Sequence, residues 1–337
     1  MTYDPFSRGP FPVGVRTLTA VDPARDRRLP IEVWYPANEA YAGQDVIAPT
    51  RDTWSMGGVA FSQDAVRNAT PRMASFPVVA FSHGSGGHRR QSTFLCTHLA
   101  SHGYVVTAVD HVGNTRPDLL VTAGRADVRA WIAARPPDVL WMINTVLDSA
   151  TELGLVVDAD RIGVAGHSFG GWTALEVTRR DRRIRVALLL APLGIADPPP
   201  GVIRARVRTD WGRDVPTLCL AAERDTLIPL GQLQQLLARI PSATMMAVLR
   251  NADHFHFCDR VDEAHEMFRR MPSVEGSPRL PPVRDLCPGP HSHLFARGLA
   301  VAHMDAFLKR DAAAAGFLAG DVAGALRARG VEAAVST

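Results

Sequence analysis

From Pro77 onward, short apolar runs alternate with segments of helical length, and this pattern constrains the fold more than any other feature of the chain. Apolar runs fall at residues 78–82, 105–110, 161–166, 186–190, 217–221 and 244–249. Near-continuous apolar runs of this length predict strands buried on both faces, which calls for a mostly parallel sheet with helices on each side. Between them, residues 92–102 read as a helix that stops at Gly103, and residues 138–153 place Val139, Ile143, Val146, Leu147 and Ala150 on one face. Residues 170–180, 230–240 and 293–309 complete the predicted helices. Ahead of this pattern, residues 14–21 and 31–35 are bounded by Pro, Asp or Gly and predict an N-terminal β-hairpin.

With 337 residues and 46% hydrophobic content, the chain can bury one large core. The usual prior of roughly 150 residues per domain overcounts for large α/β sheets. A single domain over 1–337 is therefore expected, with surface insertions near the site at 36–77, 197–215 and 259–286. The first is rich in breakers such as Pro49, Gly57, Gly58 and Pro71, and the other two in Pro, Arg and Gly. Charged residues make up 21% of the chain and the formal net charge is +3, with no Lys or Arg run that would read as a nucleic-acid footprint. Residues 1–12 hold Asp4, Arg8 and three prolines rather than the apolar core of a signal peptide. No wholly apolar run approaches the ~20 residues that span a bilayer. A cytoplasmic protein without a transmembrane segment is the expectation, and no feature sets an oligomeric state.

The residues that carry chemistry begin at Gly166-His167-Ser168-Phe169-Gly170, directly after a predicted strand and directly before a predicted helix. A nucleophile elbow needs such a strand-to-helix turn, in which the serine backbone is strained and small flanking residues allow close approach. A serine hydroxyl is a poor nucleophile until a base takes its proton. Of 12 histidines, His254 follows the last apolar strand in Asn251-Ala252-Asp253-His254-Phe255 and is the candidate base; His256 is its rival. His83 and His167 flank the site and are expected to make structural hydrogen bonds. The candidate acid is Asp225, in Glu223-Arg224-Asp225-Thr226-Leu227-Ile228-Pro229 just past a strand, with Glu223 as a rival. Helix capping is the plainer use of Asp225. The order Ser, acid, His is that of the elbow-bearing hydrolases. Oxyanion donors are expected at the amide of Phe169 and, from the loop His83-Gly84-Ser85-Gly86-Gly87, at that of Ser85.

Four cysteines are too few for a disulfide scaffold, and Cys96 and Cys219 lie in apolar segments. Cys258 and Cys287 share their segments with His254, His256, His291 and His293, which raises a zinc site. No close Cys or His pair is mirrored by a second at structural-zinc spacing, so no metal is expected. Pairing of Cys258 with Cys287 stays open.

The pieces Phe81-Ser82-His83-Gly84-x-Gly86, Leu99-Ala100-Ser101-His102-Gly103-Tyr104, Asp160-Arg161-Ile162 and Gly166-His167-Ser168-Phe169-Gly170-Gly171 resemble the plasma-type platelet-activating-factor acetylhydrolases and the dienelactone-hydrolase-like esterases. With Val13-Gly14-Val15-Arg16 and Glu32-Val33-Trp34-Tyr35-Pro36, the resemblance covers most of residues 10–310. It implies an α/β-hydrolase fold: a mostly parallel central sheet, helices on both faces and an N-terminal β-hairpin. It also implies a calcium-independent, cofactor-free lipase or esterase using Ser168, His254 and the amides of Ser85 and Phe169. The chain departs at the acid, because those acetylhydrolases carry Asp right after the strand that follows the nucleophile helix, where this sequence reads Leu190-Ala191-Pro192. Residues 223–229 instead resemble the acid loop of bacterial cutinases and polyester hydrolases.

The expected function is hydrolysis of a small-molecule or lipid carboxylic ester through an acyl-enzyme, with polyester and lipid-acetyl hydrolysis as finer alternatives. A dehalogenase would need Asp in place of Ser168. A non-catalytic ligand-binding homologue would have no reason to keep nucleophile, base, acid and oxyanion loop together. Trp54, Trp131, Trp141, Trp172, Trp211, Phe255 and Phe257 are candidates for a substrate pocket, although aromatic residues in α/β proteins more often pack in the core.

Overall fold

The computed structural model describes residues 3–121, 127–242, 244–270 and 275–336. Its strands are β1 (Val13–Asp22), β2 (Arg27–Pro36), β3 (Asp52–Met56), β4 (Val59–Gln63), β5 (Val66–Arg67), β6 (Ser75–Ser82), β7 (Val105–Val109), β8 (Val156–His167), β9 (Ile184–Leu190), β10 (Thr217–Ala222), β11 (Thr244–Leu249) and β12 (Ala333–Ser336). Ten of them form one sheet in the order β12-β11-β10-β9-β8-β6-β7-β2-β1-β5. The run from β7 to β11 is parallel throughout, while β1, β2 and β12 pair antiparallel with their neighbours in β2, β7 and β11. This is the α/β-hydrolase arrangement.

The uniform apolarity of the central strands follows from the side-chain period of two. Leu188 and Leu190 of β9 pack into one cluster, Leu189 into the other, and all three are fully buried. Burial of each such leucine contributes on the order of 1.5–3 kcal/mol. The first cluster lies under α1 (Thr93–Ser101) and α7 (Gly289–Met304), and the second under α3 (Val128–Asp148), α4 (Phe169–Arg180) and α5 (Leu230–Leu237). Both layers are thus built by the same strands.

Sheet order also locates a crevice. From β6 the chain proceeds to β7 on one side and returns to β8 on the other, so strand order reverses at β6. Crevices at the carboxyl ends of strands beside such a reversal are where ligands bind in open α/β sheets. The loop after β6 and the turn after β8 both border it.

The structure adds elements where the sequence predicts loops. Within 36–77, β3 and β4 form a separate two-stranded ribbon turned by Gly57 and Gly58, and β5 pairs with Gly14 and Val15 of β1. These strands are short and their burial patterns give only weak alternation. Helix α2 (Arg116–Val121) follows β7, and α6 (Val261–Arg269) occupies part of 259–286, of which residues 271–274 lie outside the described residues. Helix α3 starts at Val128, well ahead of the expected 138, and runs through Pro136 and Pro137. The Asp127 side chain caps it at Ala130 N–H, and buried Trp131, Arg135 and Val139 hold it to the sheet. Past residue 309, α8 (Ala312–Ala319) and α9 (Val322–Arg327) lead into β12. Among the described residues, no helix is long and apolar enough to cross a membrane.

Candidate active site

Ser168 stands between the last residue of β8 and the first of α4, with φ 56° and ψ −117°. A non-glycine residue held there costs on the order of 1–3 kcal/mol, so its surroundings must impose it. They do so by close packing. A Cβ at Gly170 would lie 1.8 Å from the carbonyl oxygen of Ser82, and one at Gly166 would lie 2.1 Å from the carbonyl oxygen of Gly170. Glycine at both positions lets α4 start against the end of β6. The turn is tied down by the Ser168 N–H, which donates to Leu190 O at 2.9 Å, and by the Leu193 N–H, which donates to Ser168 O at 2.9 Å.

Beyond β9 in the parallel sheet, β10 ends in the loop that holds Asp225 and β11 ends in the loop that holds His254. His254 Nδ1 donates to Asp225 Oδ2 at 2.8 Å, with both side chains almost wholly buried. The other carboxylate oxygen accepts from the N–H groups of Leu227 and Ile228, at 2.9 and 2.8 Å, which fixes the acid in its loop. Burial opposes charge on His254, yet the facing Asp225 carboxylate outweighs it and the net shift is upward from the ordinary 6.5. The rivals lie elsewhere. Glu223 accepts from Arg250 at 2.6 Å and from the Asn251 N–H at 2.8 Å, and Asp197, the first carboxylate in the chain after β9, is exposed beside Arg204. His256 joins Asp253 at 2.9 Å, and its Nε2 donates to the Cys287 carbonyl at 3.0 Å. Burial opposes charge there too, but Asp253 and the Cys287 carbonyl raise His256 to about 10. Both of its ring nitrogens are already engaged, by Asp253 and by the Cys287 carbonyl.

The glycine-rich turn after β6 lies over Ser168: a Cβ at Gly84 would sit 3.4 Å from Ser168 Cβ. Its Gly84 N–H donates to Gln91 Oε1 at 2.9 Å, and Gln91 Nε2 donates to His167 Nδ1 at 3.0 Å. His167 Nε2 then donates to the backbone carbonyl of His254 at 3.0 Å. Burial, reinforced by His254, holds His167 well below 6.5, so it is neutral with its one proton on Nε2. Ser85 Oγ accepts from Asn114 Nδ2 at 3.1 Å, and the Ser85 N–H donates to no described residue. Phe169 is the first residue of α4, where a helix leaves its N–H groups unpaired.

Comparison with known proteins follows this geometry. The family described as platelet-activating factor acetylhydrolase, isoform II, matches residues 13–117, and the family described as serine aminopeptidase, S33, matches residues 74–211. Cutinase est1 of Thermobifida alba is 28% identical over 66% of this chain and 68% of its own. The platelet-activating factor acetylhydrolase of Bos taurus is 24% identical over 50% of this chain and 48% of its own. Among solved structures, a ferulic acid esterase from Streptomyces cinnamoneus superposes with a TM-score of 0.64 at 27% identity, covering 89% of this chain and 91% of that one. The chain is a serine esterase of the α/β-hydrolase fold.

In this esterase all four cysteines are free thiols, so Cys258 and Cys287 do not pair. Among the described residues no three His, Cys, Asp or Glu side chains converge as a metal cluster would require. His293 instead stacks on Phe94 and donates to the Cys258 carbonyl. Trp131, Trp172 and Trp211 pack in the core, as do Phe255 and Phe257, while Trp54 stacks on Phe61 across the β3–β4 ribbon. A cleft of about 580 Å³ opens between Glu223–Thr226 and Arg279–Pro281, which sets part of segment 259–286 against the acid loop. Sequence reasoning assigned no role to Gln91, Asn114, Arg135 or Thr173. Most of their partners are distant in the chain, and the fold brings them to the glycine-rich turn after β6 and the start of α4.

The close approach at the elbow yields a stability test. Gly170→Ala must displace the end of β6 and should cost at least about 3 kcal/mol, at the upper end of overpacking penalties. Gly231→Ala, in α5 with nothing within 4 Å of the added Cβ, should be neutral or stabilising by about 0.5–1 kcal/mol. Denaturant melts of the two variants check the contrast.

Proposed function

We propose that Ser168, His254 and Asp225 form the catalytic triad of this esterase, with the amides of Phe169 and Ser85 as its oxyanion hole. The observation that carries the reading is the buried 2.8 Å hydrogen bond between His254 and Asp225, made by two loops that end adjacent strands beside the strained Ser168. With its Nδ1 proton committed to the carboxylate, His254 keeps a lone pair on Nε2 for the serine hydroxyl.

The chemistry proceeds in two halves. Ser168 Oγ attacks the ester carbonyl carbon while His254 Nε2 takes the hydroxyl proton, and the carbonyl π electrons move to oxygen. The two amides stabilise that oxyanion, which exists in the intermediate and not in the substrate. Collapse breaks the bond to the alcohol oxygen, which leaves with the proton from His254, and Ser168 carries the acyl group. Water then repeats the sequence to release the acid. Asp225 stabilises the imidazolium in both halves without itself taking the proton.

Among ester classes, the placement of the acid supports a cutinase-type polyester over a lipid acetyl ester. Asp225 follows β10, whereas β9, the strand after the nucleophile helix, ends in Leu190, Ala191 and Pro192 with no carboxylate. Release of soluble acid from an aliphatic polyester film, compared with cleavage of an acetyl phospholipid, distinguishes the two. A panel of p-nitrophenyl esters of graded acyl length sets the chain preference.

Three outcomes test the triad. Ser168→Ala should reduce turnover by up to ~10⁶, the scale seen when a triad nucleophile is lost, and it should abolish labelling by a fluorophosphonate probe. Asp225→Asn should reduce turnover by up to ~10⁴ by favouring the wrong imidazole tautomer. Asp197→Asn should change it less than about threefold, because its ion pair is exposed. The base is active only when neutral and its pKa is raised, so kcat/KM should rise with pH through a midpoint above 6.5. In Asp225→Asn the residual activity should show this acid limb shifted to lower pH. A midpoint below 6.5 in the unmodified enzyme would contradict the role given to the carboxylate.

A further inference from the structure

Arg135 of α3 is fully buried, yet every partner of its guanidinium is a neutral oxygen. Its Nη2 hydrogen-bonds the carbonyl of His83 and approaches Ser82 Oγ at 3.4 Å. Its Nη1 donates to Asn114 Oδ1 at 2.6 Å, and its Nε donates to Thr173 Oγ1 at 3.1 Å. The guanidinium carbon also stands 4.6 Å from the centre of the Phe169 ring. The nearby carboxylate, Asp138 one helical turn on, is already engaged by Arg25, Arg27 and His111. His111 and His83 are held neutral by burial and by the cation itself. Burial pulls Arg135 down to about 9, so it remains charged at neutral pH. An unpaired buried cation is costly and calls for a use.

We propose that Arg135 is the positioning residue of the oxyanion hole, holding the Ser85 and Phe169 amides in register with each other so that its loss lowers turnover rather than substrate affinity. The inference rests on the oxyanion reading given above. Its geometric basis is that this one side chain reaches both donors. Toward Ser85 it grips the chain on both sides. Upstream, the His83–Gly84 peptide is pinned at its oxygen by Arg135 and at its N–H by Gln91, which fixes the plane from which Ser85 departs. Downstream, Asn114 takes one bond from Arg135, gives one to Ser85 Oγ and accepts the Gly86 N–H at 3.2 Å. Toward Phe169, Thr173 Oγ1 accepts from Arg135 and donates to the Phe169 carbonyl at 2.8 Å, while the cation faces the Phe169 ring. Stabilisation made in the transition state and absent from the ground state appears in kcat rather than in KM.

The test pairs kinetics with a transition-state mimic. A trifluoromethyl ketone forms a hemiketal with the active serine, and the oxyanion of that adduct occupies the hole. Arg135→Gln, shown by circular dichroism to be folded, should lose about 100-fold in kcat on p-nitrophenyl butyrate, with KM within about threefold, and should bind the ketone about 100-fold more weakly. Asn114→Ala and Thr173→Val cut only one arm each and should show smaller losses of the same kind, about 3–10-fold. If Arg135→Gln does not fold, these two variants decide. A loss in both kcat and ketone affinity supports the proposal, and kcat unchanged in both overturns it. A folded Arg135→Gln enzyme with unchanged kcat, or with its loss confined to KM, also overturns it. Failure of the underlying reading looks different: the unmodified enzyme would ignore the ketone and Ser168→Ala would keep its turnover.

Discussion

The contact between Gly170 and the carbonyl of Ser82 is the constraint on which the rest of the site depends. Because nothing larger than a hydrogen fits there, α4 begins against the end of β6 rather than a side chain's width away. That single approach sets the Ser168 turn at positive φ, brings Gly84 over Ser168, and places the first N–H groups of α4 beside the glycine-rich turn. Sheet topology supplies the other half. β10 and β11 continue the parallel order away from β8, so the loops that leave their ends arrive at the same edge as the elbow. The long parallel sheet works here as a ruler, with strand spacing determining how far apart Asp225, His254 and Ser168 can stand.

A second layer of buried hydrogen bonds keeps these loops from drifting independently. Gln91 and His167 link the turn after β6 to the backbone of His254 through three bonds with assigned donors. On the far side of that loop, buried Asp253 caps the helical turn His254–Phe257, pairs with His256 and His265, and is held well into its charged form by them. His256 and His265 in turn donate to the carbonyls of Cys287 and Pro281. The loop of His254 is thereby fastened to two segments that share no sequence neighbourhood with it. Satisfied networks of this type favour one geometry, because breaking any member leaves a buried polar group without a partner.

What could be read from the sequence is what depends on local pattern. The glycines around Ser168, the apolar runs of β6 to β11, and the positions of Asp225 and His254 after their strands are all written within a few residues of themselves. The misreadings have the same origin. Pro136 and Pro137 look like helix breakers, so a local reading starts the helix at 138 and leaves Arg135 in a loop, where an arginine needs no explanation. Packing of Trp131, Arg135 and Val139 carries α3 across both prolines and turns Arg135 into the core. Residues 36–77 were similarly opaque, since β3 and β4 are five residues each and pair only with each other. Asn114 meets Ser85 and Arg135, Thr173 meets Arg135, and Gln91 meets His167, each from 21 or more positions away, beyond any local window of sequence.

The two ends of the ten-stranded sheet have a consequence for how the protein behaves in solution. One edge is β5, two residues long, and the other is β12, four residues paired antiparallel with β11. A strand that ends a sheet offers unpaired backbone to any other chain, and brevity at the edge limits that template. Beneath β12 lies β11, whose Thr244–Leu249 run is apolar and carries two methionines. Loss of β12 would leave Ser168, Asp225 and His254 in place while uncovering the four residues Met246–Leu249 that it pairs. The damage would then be self-association in concentrated solution, with the geometry around Ser168 unaltered.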